Sequence, residues 1–422
     1  MTAYQIGGGR RLEGAVPVSG AKNAALPVIV ASALAAEGES VIENVPLHTD
    51  ARDLVTILKA LGAQAEFSGK VLRVRAERLG AHVAPYAAAA RLRASTYITG
   101  LLLARVGQAE VALPGGDAIG ARPVDFHLRG LAALGAHVTV ARGAILAKTQ
   151  GLRGARFFVD RQSVGTTCNM MIAASLAEGV TVLENPAQEP EVIDLATFLT
   201  AMGGRVHGAG TNLIRIEGVS RLHGARHELI PDRIEAGTFL LAAAATQGVV
   251  TVHAVIPEHL RPLTAKLALA GARIRTTADS VTIEAPRRLS PIEARTEPYP
   301  GFPTDLQPLL VAALSRADGV SVVEETVFEN RFGYTNELVR LGALLRIVGQ
   351  DTAVVTGVDR LSGAPVTAAD IRAGAALVVA GLMAEGTTHV LDVQHIARGY
   401  EQFEDKLRHL GAEIRLVRDD RT

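Results

Sequence analysis

Apolar residues recur along this chain in a fixed order. First comes a run that is apolar on every side of a helix, as in Ala24-Ala-Leu-Pro-Val-Ile-Val-Ala-Ser-Ala-Leu34. A helix of that kind belongs inside a core. A glycine follows, predicted as the C-cap, and then a short alternating stretch such as Ser40-Val-Ile-Glu-Asn44, which predicts a half-buried strand. A second helix spans Asp50 to Leu61, and Leu-Gly-Ala and one or two further strands complete the unit. The order repeats six times. Leu34-Ala-Ala-Glu-Gly38, Leu176-Ala-Glu-Gly179 and Met383-Ala-Glu-Gly386 are the clearest copies of its first marker, with weaker ones at Gly107, Gly248 and Gly319, at intervals of 69, 72, 69, 71 and 67 residues. The Leu-Gly-Ala marker, or a close variant of it, recurs at Gly62, Gly135, Gly203, Gly271, Gly342 and Gly411, at intervals of 73, 68, 68, 71 and 69. Two independent markers with one period define six related units. Solenoid repeats run to about 20–45 residues, so βαβ-like units of this length predict closed α/β domains, two of three units each, in the 422-residue chain.

Composition narrows the function. The 43 basic residues balance 43 acidic ones, so no net field recruits nucleic acid or an anionic membrane, and neither is expected as a partner. Any anion binding must come from local placement. Cys168, the one cysteine, excludes a disulfide framework and a multi-cysteine metal site. The first ten residues carry no apolar signal core, and the longest apolar run, Leu26 to Ala35, is interrupted by Pro27 and Ser32. A soluble cytoplasmic protein is the expectation.

The phase of the repeat points to chemistry. Sixteen residues before the first marker glycine stand Lys22, Ser163, Asp232 and Asp370, and fourteen before it stand Arg93, Asp305 and Arg372. Ser and Asp there have a simple reading as N-caps. Lys and Arg do not, because a cation is unfavourable at the positive end of a helix. Lys22, Arg93 and Arg372 therefore call for an anionic partner, and helix N-termini with cations beside them form an anion site. One loop stands apart: Pro114-Gly-Gly-Asp-Ala-Ile-Gly-Ala-Arg-Pro123. Its glycines allow close backbone approach. Asp117 and Arg122 would let it act as a lid that delivers a proton beside a bound anion; a solvated turn is the plainer alternative.

These segments carry a resemblance. Ser19-Gly-Ala-Lys-Asn-Ala-Ala-Leu-Pro27, Leu92-Arg-Ala-Ser95, Pro114 to His127, Ser163-Val-Gly165, Glu184 to Pro190, Phe302 to Gln307, Thr326 to Arg331, Asp370-Ile-Arg372 and His395 to Glu401 together closely resemble the UDP-N-acetylglucosamine 1-carboxyvinyltransferases, enolpyruvyl transferases that begin peptidoglycan synthesis. The resemblance implies an α/β fold, a two-domain inside-out α/β barrel of six βαβ-like repeats, three per domain. One domain would be residues 21–231, and 1–20 with 232–422 would form a second that closes over the cleft.

It also implies a reaction: transfer of enolpyruvate from phosphoenolpyruvate to the 3-hydroxyl of UDP-N-acetylglucosamine, with release of phosphate and no cofactor or metal. Carried over by motif, phosphoenolpyruvate falls to Lys22, Asn23, Arg122, Arg372 and Arg398, and guanidinium forks suit its phosphate and carboxylate. The nucleotide sugar falls to Arg93, Arg122, Pro123, Val124, Asp125, His127, Arg161, Ser163, Val164, Gly165, Asp305 and Val327, with Arg331 and Asp370 in support. Asp305 matches the carboxylate at the sugar hydroxyl, Asn23 orients the sugar, and Lys22 and Arg398 complete the catalytic set. The familiar form of the enzyme has cysteine where this chain has Asp117, and a subset of the family has aspartate. Either group can protonate the methylene carbon, but a carboxylate is the poorer nucleophile toward the epoxide fosfomycin, so insensitivity to it is expected.

Other candidates have plainer readings. Cys168 is expected to be a core residue, and His223 and His227 to stand on a solvated loop instead of a metal site. Gly7-Gly-Gly-Arg10 lacks the Lys-Ser/Thr of a phosphate loop and predicts a turn at a strand end. Glu189 and Glu191, which accompany the Glu184 to Pro190 segment, are expected to form a charged loop edge. Two other functions stand as alternatives: an enolpyruvyl transferase with another acceptor, shikimate 3-phosphate or a specialised nucleoside, and a non-enzymatic repeat scaffold.

Overall fold

The computed structural model describes residues 2–115 and 124–418. The described chain divides into two compact units, residues 20–115 with 124–230 and residues 2–19 with 231–418. Each has its own apolar core. In the 20–230 unit the helices Lys22–Ser32, Thr96–Arg105 and Val164–Ala174 are buried and pack on one another. In the other unit, Arg233–Ala245, Gln307–Leu314 and Ile371–Met383 do the same. All six are nearly free of charge along their length, which is why they can be surrounded by protein. Pro27 lies inside the first of them and cannot donate to the Asn23 carbonyl one turn earlier.

Sheets surround each helix trio. In the 231–418 unit the three sheets run, by strand, Arg273–Thr276, Ser280–Glu284, Val249–His253, Glu13–Pro17; Glu293–Arg295, Val320–Glu324, Thr352–Thr356, Leu344–Val348; and Pro365–Thr367, Thr387–Leu391, Thr2–Gly7, Glu413–Arg418. Their core strands are antiparallel, and a short parallel strand joins one edge. The 20–230 unit repeats the plan with two four-stranded sheets and a three-stranded one, to which Val83 adds a parallel bridge at Glu110, and adds a two-stranded pair of Ala35–Glu37 with Leu222–His223. The parallel strand Glu13–Pro17 pairs with Val249–His253, and Arg226–Glu228 pairs with Ser40–Glu43. Each therefore serves a sheet in one unit while leading into a buried helix of the other.

The two glycine markers behave differently. After every outer helix the Leu-Gly-Ala glycine has positive φ, from 89° at Gly135 and Gly342 to 108° at Gly62. The amide of the next residue then bonds back to the carbonyl of Leu58, Leu131, Leu199, Leu267, Leu338 or Leu407. This is the left-handed glycine cap, and a Cβ would strain it. The first marker was expected to cap the buried helices, and only Gly107 and Gly248 bond back to a helix carbonyl, those of Leu102 and Ala243. Elsewhere, after helices that stop at Ser32, Ala174, Leu314 and Met383, the glycine stands shortly before a strand instead.

Candidate active site

Asp117, Arg122 and Pro123 lie outside the described residues. Several of the other candidates stand where the buried helices begin. In the 20–230 unit Lys22 is the first residue of its helix and Asn23 the second. Lys22 Nζ meets Asp50 Oδ2 at 2.8 Å, with side chains only 8% and 6% exposed. Asp50 sits in the first turn of the outer helix Thr49–Ala60. The anionic partner that a lysine at a helix start demands is thus a buried carboxylate of the same unit. No motif had singled out Asp50.

A second group surrounds His127. Arg93 forms a short 3₁₀ turn before the helix Thr96–Arg105, and Ser163 caps Val164–Ala174 by accepting the Thr166 amide at 3.2 Å. His127 lies on the helix Asp125–Ala133, after Val124 and the exposed Asp125. A Cβ at Gly165 would come within 3.2 Å of His127 Nε2 and 3.9 Å of Ser163 Oγ, so the ring, the cap and the glycine share one spot. Asn169 Nδ2 lies 3.1 Å from His127 Nδ1. Burial pushes the His127 imidazole down to about 3, with the nearby Arg93 charge adding to it. The ring is therefore neutral, and an Asn169 amide donor at Nδ1 leaves the proton on Nε2, facing Ser163 and Gly165. Arg161 is exposed beside this group.

In the 231–418 unit Asp305 stands in a 3₁₀ turn, Thr304–Leu306, that opens the helix Gln307–Leu314. Its carboxylate takes Arg331 Nη2 at 3.2 Å and Arg372 Nε and Nη2 at 3.2 and 3.1 Å. Burial works to raise this carboxyl, but the guanidiniums of Arg372 and Arg331, with Arg233 further off, outweigh it and hold it well below the usual carboxylate range. Arg372 is the second residue of its helix, which Asp370 caps through the Arg372 and Ala373 amides, both at 2.8 Å. The Arg372 guanidinium lies 5.1 Å from the Tyr400 ring centre, and Arg331 lies 5.9 Å from that of Phe328. Tyr400 is held in turn by Thr238 at 2.9 Å. Arg398 belongs to the 3₁₀ turn Ile396–Arg398 just before Tyr400, and Val327 is half-buried next to Phe328. Two guanidiniums on one carboxylate can bind an anion of two charged groups if they are drawn off it.

Cys168 is fully buried, and burial pushes its thiol up. His227 is not on a solvated loop: it lies in the strand Arg226–Glu228, with Nε2 at 3.0 Å from the buried Asp194, because the strand turns the ring inward onto the helix Pro190–Ala201. His223, in the strand Leu222–His223, is exposed. Glu191 is buried in the first turn of that same helix and is no loop edge.

The comparisons agree with this plan. The family model for EPSP synthase (3-phosphoshikimate 1-carboxyvinyltransferase) matches residues 6–407. UDP-N-acetylglucosamine 1-carboxyvinyltransferase 2 of Symbiobacterium thermophilum is 58% identical over 99% of both chains. The enzyme of the same name in Carboxydothermus hydrogenoformans is 50% identical, over 99% of this chain and 100% of its own. The crystal structure of the enolpyruvyl transferase NikO from Streptomyces tendae superposes with a TM-score of 0.89 at 27% identity, over 99% of each chain. The helix-centred units with sheets around them are those of the enolpyruvyl transferases, and this chain belongs to that family of carboxyvinyl-transferring enzymes. Within it, the relatives of high identity are the UDP-N-acetylglucosamine 1-carboxyvinyltransferases.

Proposed function

We propose that this protein transfers the enolpyruvyl group of phosphoenolpyruvate to the 3-hydroxyl of UDP-N-acetylglucosamine, releasing phosphate, as the first committed step of cell-wall peptidoglycan synthesis in the cytoplasm. The observation that carries this reading is the 58% identity, over nearly all of both chains, to a relative named for that reaction. Lys22, Arg122, Arg372 and Arg398, with Asn23, take phosphoenolpyruvate. The Arg93, Asp125, His127, Arg161 and Ser163–Gly165 set takes the nucleotide sugar with Arg122, Pro123, Val124, Asp305 and Val327. Arg331 and Asp370 hold these groups in place.

The reaction is an addition and an elimination. The sugar oxygen bonds to the central carbon of phosphoenolpyruvate and gives its proton to Asp305, while Asp117 protonates the methylene carbon. Loss of a proton from the new methyl group then expels phosphate and restores the double bond. A carboxylate gripped by Arg331 and Arg372 is ionised but weakly basic. Anionic substrate draws on the same guanidiniums, and as their hold slackens the basicity of Asp305 rises. The test is phosphate release from phosphoenolpyruvate with UDP-N-acetylglucosamine or shikimate 3-phosphate as acceptor. Turnover with the nucleotide sugar alone is expected; turnover with shikimate 3-phosphate alone would overturn the reading.

A further inference from the structure

Glu325 lies just beyond the strand Val320–Glu324 and is 3% exposed. Every hydrogen bond to its carboxylate comes from a donor. Oε1 accepts Thr296 Oγ1 at 2.9 Å, the Val327 amide at 2.8 Å and the Phe328 amide at 3.1 Å. Oε2 accepts Thr304 Oγ1 at 2.9 Å. Thr296 is itself locked, because its hydroxyl takes the Thr326 amide at 2.9 Å and its carbonyl takes the Thr326 hydroxyl at 2.6 Å. A buried carboxylate with all its partners in place is a rigid anchor, and the cost of leaving any of those partners unmet is high.

Both arms of this anchor lead to Asp305. Through Thr304 it holds the residue before Asp305 in the 3₁₀ turn. Through the Phe328 amide it holds the ring on which Arg331 lies, and Arg331 grips Asp305. Between these stands Val327. We propose that Glu325 is a positioning residue for the transfer reaction, a buried carboxylate that ties the Thr304–Asp305 turn and the Val327–Phe328 loop to one point. This rests on the function proposed above. It assigns the catalytic turn and the nucleotide loop a common support, so a fault at Glu325 reaches turnover and substrate affinity together, while a fault at Thr304 reaches turnover alone.

The test compares three variants with the wild-type protein. Thr304→Val removes the Oε2 donor without changing side-chain shape, and kcat is expected to fall roughly tenfold with KM for UDP-N-acetylglucosamine within about twofold. Glu325→Ala is expected to lower kcat roughly a hundredfold and raise that KM roughly tenfold, the scale of an ångström's misplacement. Glu325→Gln keeps an oxygen for both amides and can donate to the Thr304 hydroxyl, so most of both losses should be recovered. Native-state hydrogen exchange supplies a readout that needs no turnover: the Val327 and Phe328 amides should exchange faster in Glu325→Ala while those of the helix Gln307–Leu314 do not. Unchanged exchange at those two amides, or wild-type kcat and KM in both Thr304→Val and Glu325→Ala, would overturn the proposal. A wild-type protein inactive on this substrate pair would count against the reaction alone, and the exchange rates would still decide for or against the anchor.

Discussion

His127 carries a pH dependence that can be worked out with its sign. Folded, its imidazole resists protonation down to about 3; unfolded, it takes a proton near 6.5. Below pH 6.5 the unfolded chain binds a proton that the folded chain refuses, so this residue costs stability as pH falls and costs nothing above that point. The slope is up to about 1.4 kcal/mol per pH unit. In urea denaturation the stability advantage of wild type over His127→Gln should therefore shrink by roughly 1.5 kcal/mol between pH 6.5 and pH 5. A constant difference across that range would show that the ring is protonated in the fold. At Asp117 the chemistry of the side chain makes the prediction. An epoxide alkylates a thiolate far more readily than a carboxylate, so the wild-type protein should keep full activity through prolonged fosfomycin treatment and Asp117→Cys should lose it with time. Time-dependent loss in the wild type would contradict this. The motif positions were legible one by one in the sequence, but their partners were not. Asp50, Asn169 and Glu325 sit in no signature, because what makes each matter is a contact to a residue remote in the chain or a bond to bare backbone.

Among elements, the buried helices depend on close approach. Gly100 lies on the helix Thr96–Arg105, and a Cβ there would stand 2.3 Å from Asn169 Oδ1 and 2.9 Å from the Asn169 carbonyl oxygen. Alanine would favour the helix itself by about 1 kcal/mol. The nearer clash is with the Asn169 side chain, and the second is with a backbone carbonyl that cannot rotate away; overpacking of this kind costs about 1–3 kcal/mol. Gly100→Ala should thus lower stability despite its better propensity, read as a lower denaturant midpoint, and it should disturb Asn169 and with it His127. A raised midpoint would mean that the helices can separate there. The same dependence explains what the sequence pattern could and could not say. The Leu-Gly-Ala marker was legible because one backbone geometry, a left-handed cap closed onto a leucine carbonyl, requires it six times. The other marker recurs at the same period but serves turns of different length, so its role as a cap failed in four units. His227 lies among Gly224 and Pro231, which by themselves favour a loop, while the backbone there pairs with Ser40–Glu43 from nearly two hundred residues away.

At the scale of the whole chain, the six-unit period could be read from one end to the other and the resemblance grouped residues 1–20 with 232–422, but the strand pairing of the N-terminus could not be read. Thr2–Gly7 is no edge strand. It pairs antiparallel with Thr387–Leu391 on one side and with Glu413–Arg418 on the other, five and six residue pairs in register. Ala3 and Ile6 are fully buried and Tyr4 nearly so, with Tyr4 and Ile6 in the core of the 231–418 unit. Glu13–Pro17 closes a second sheet of that unit, and the Ser19 amide donates to the buried Glu235 at 2.7 Å. Removing residues 2–19 would therefore open the middle of one sheet and the edge of another and leave buried backbone groups without partners. The 20–230 unit takes no strand from that segment and keeps its own core. A chain that begins at residue 20 should then lose the 231–418 unit to limited proteolysis while a fragment of the 20–230 unit resists. Equal resistance of both units would mean that the sheet around Thr387–Leu391 stands without its central strand. Equal loss would mean that the 20–230 core does not hold alone. On the reading proposed here, Asp305, Arg331, Arg372 and Arg398 all belong to the unit that the deletion removes, so the resistant fragment should retain no transfer activity.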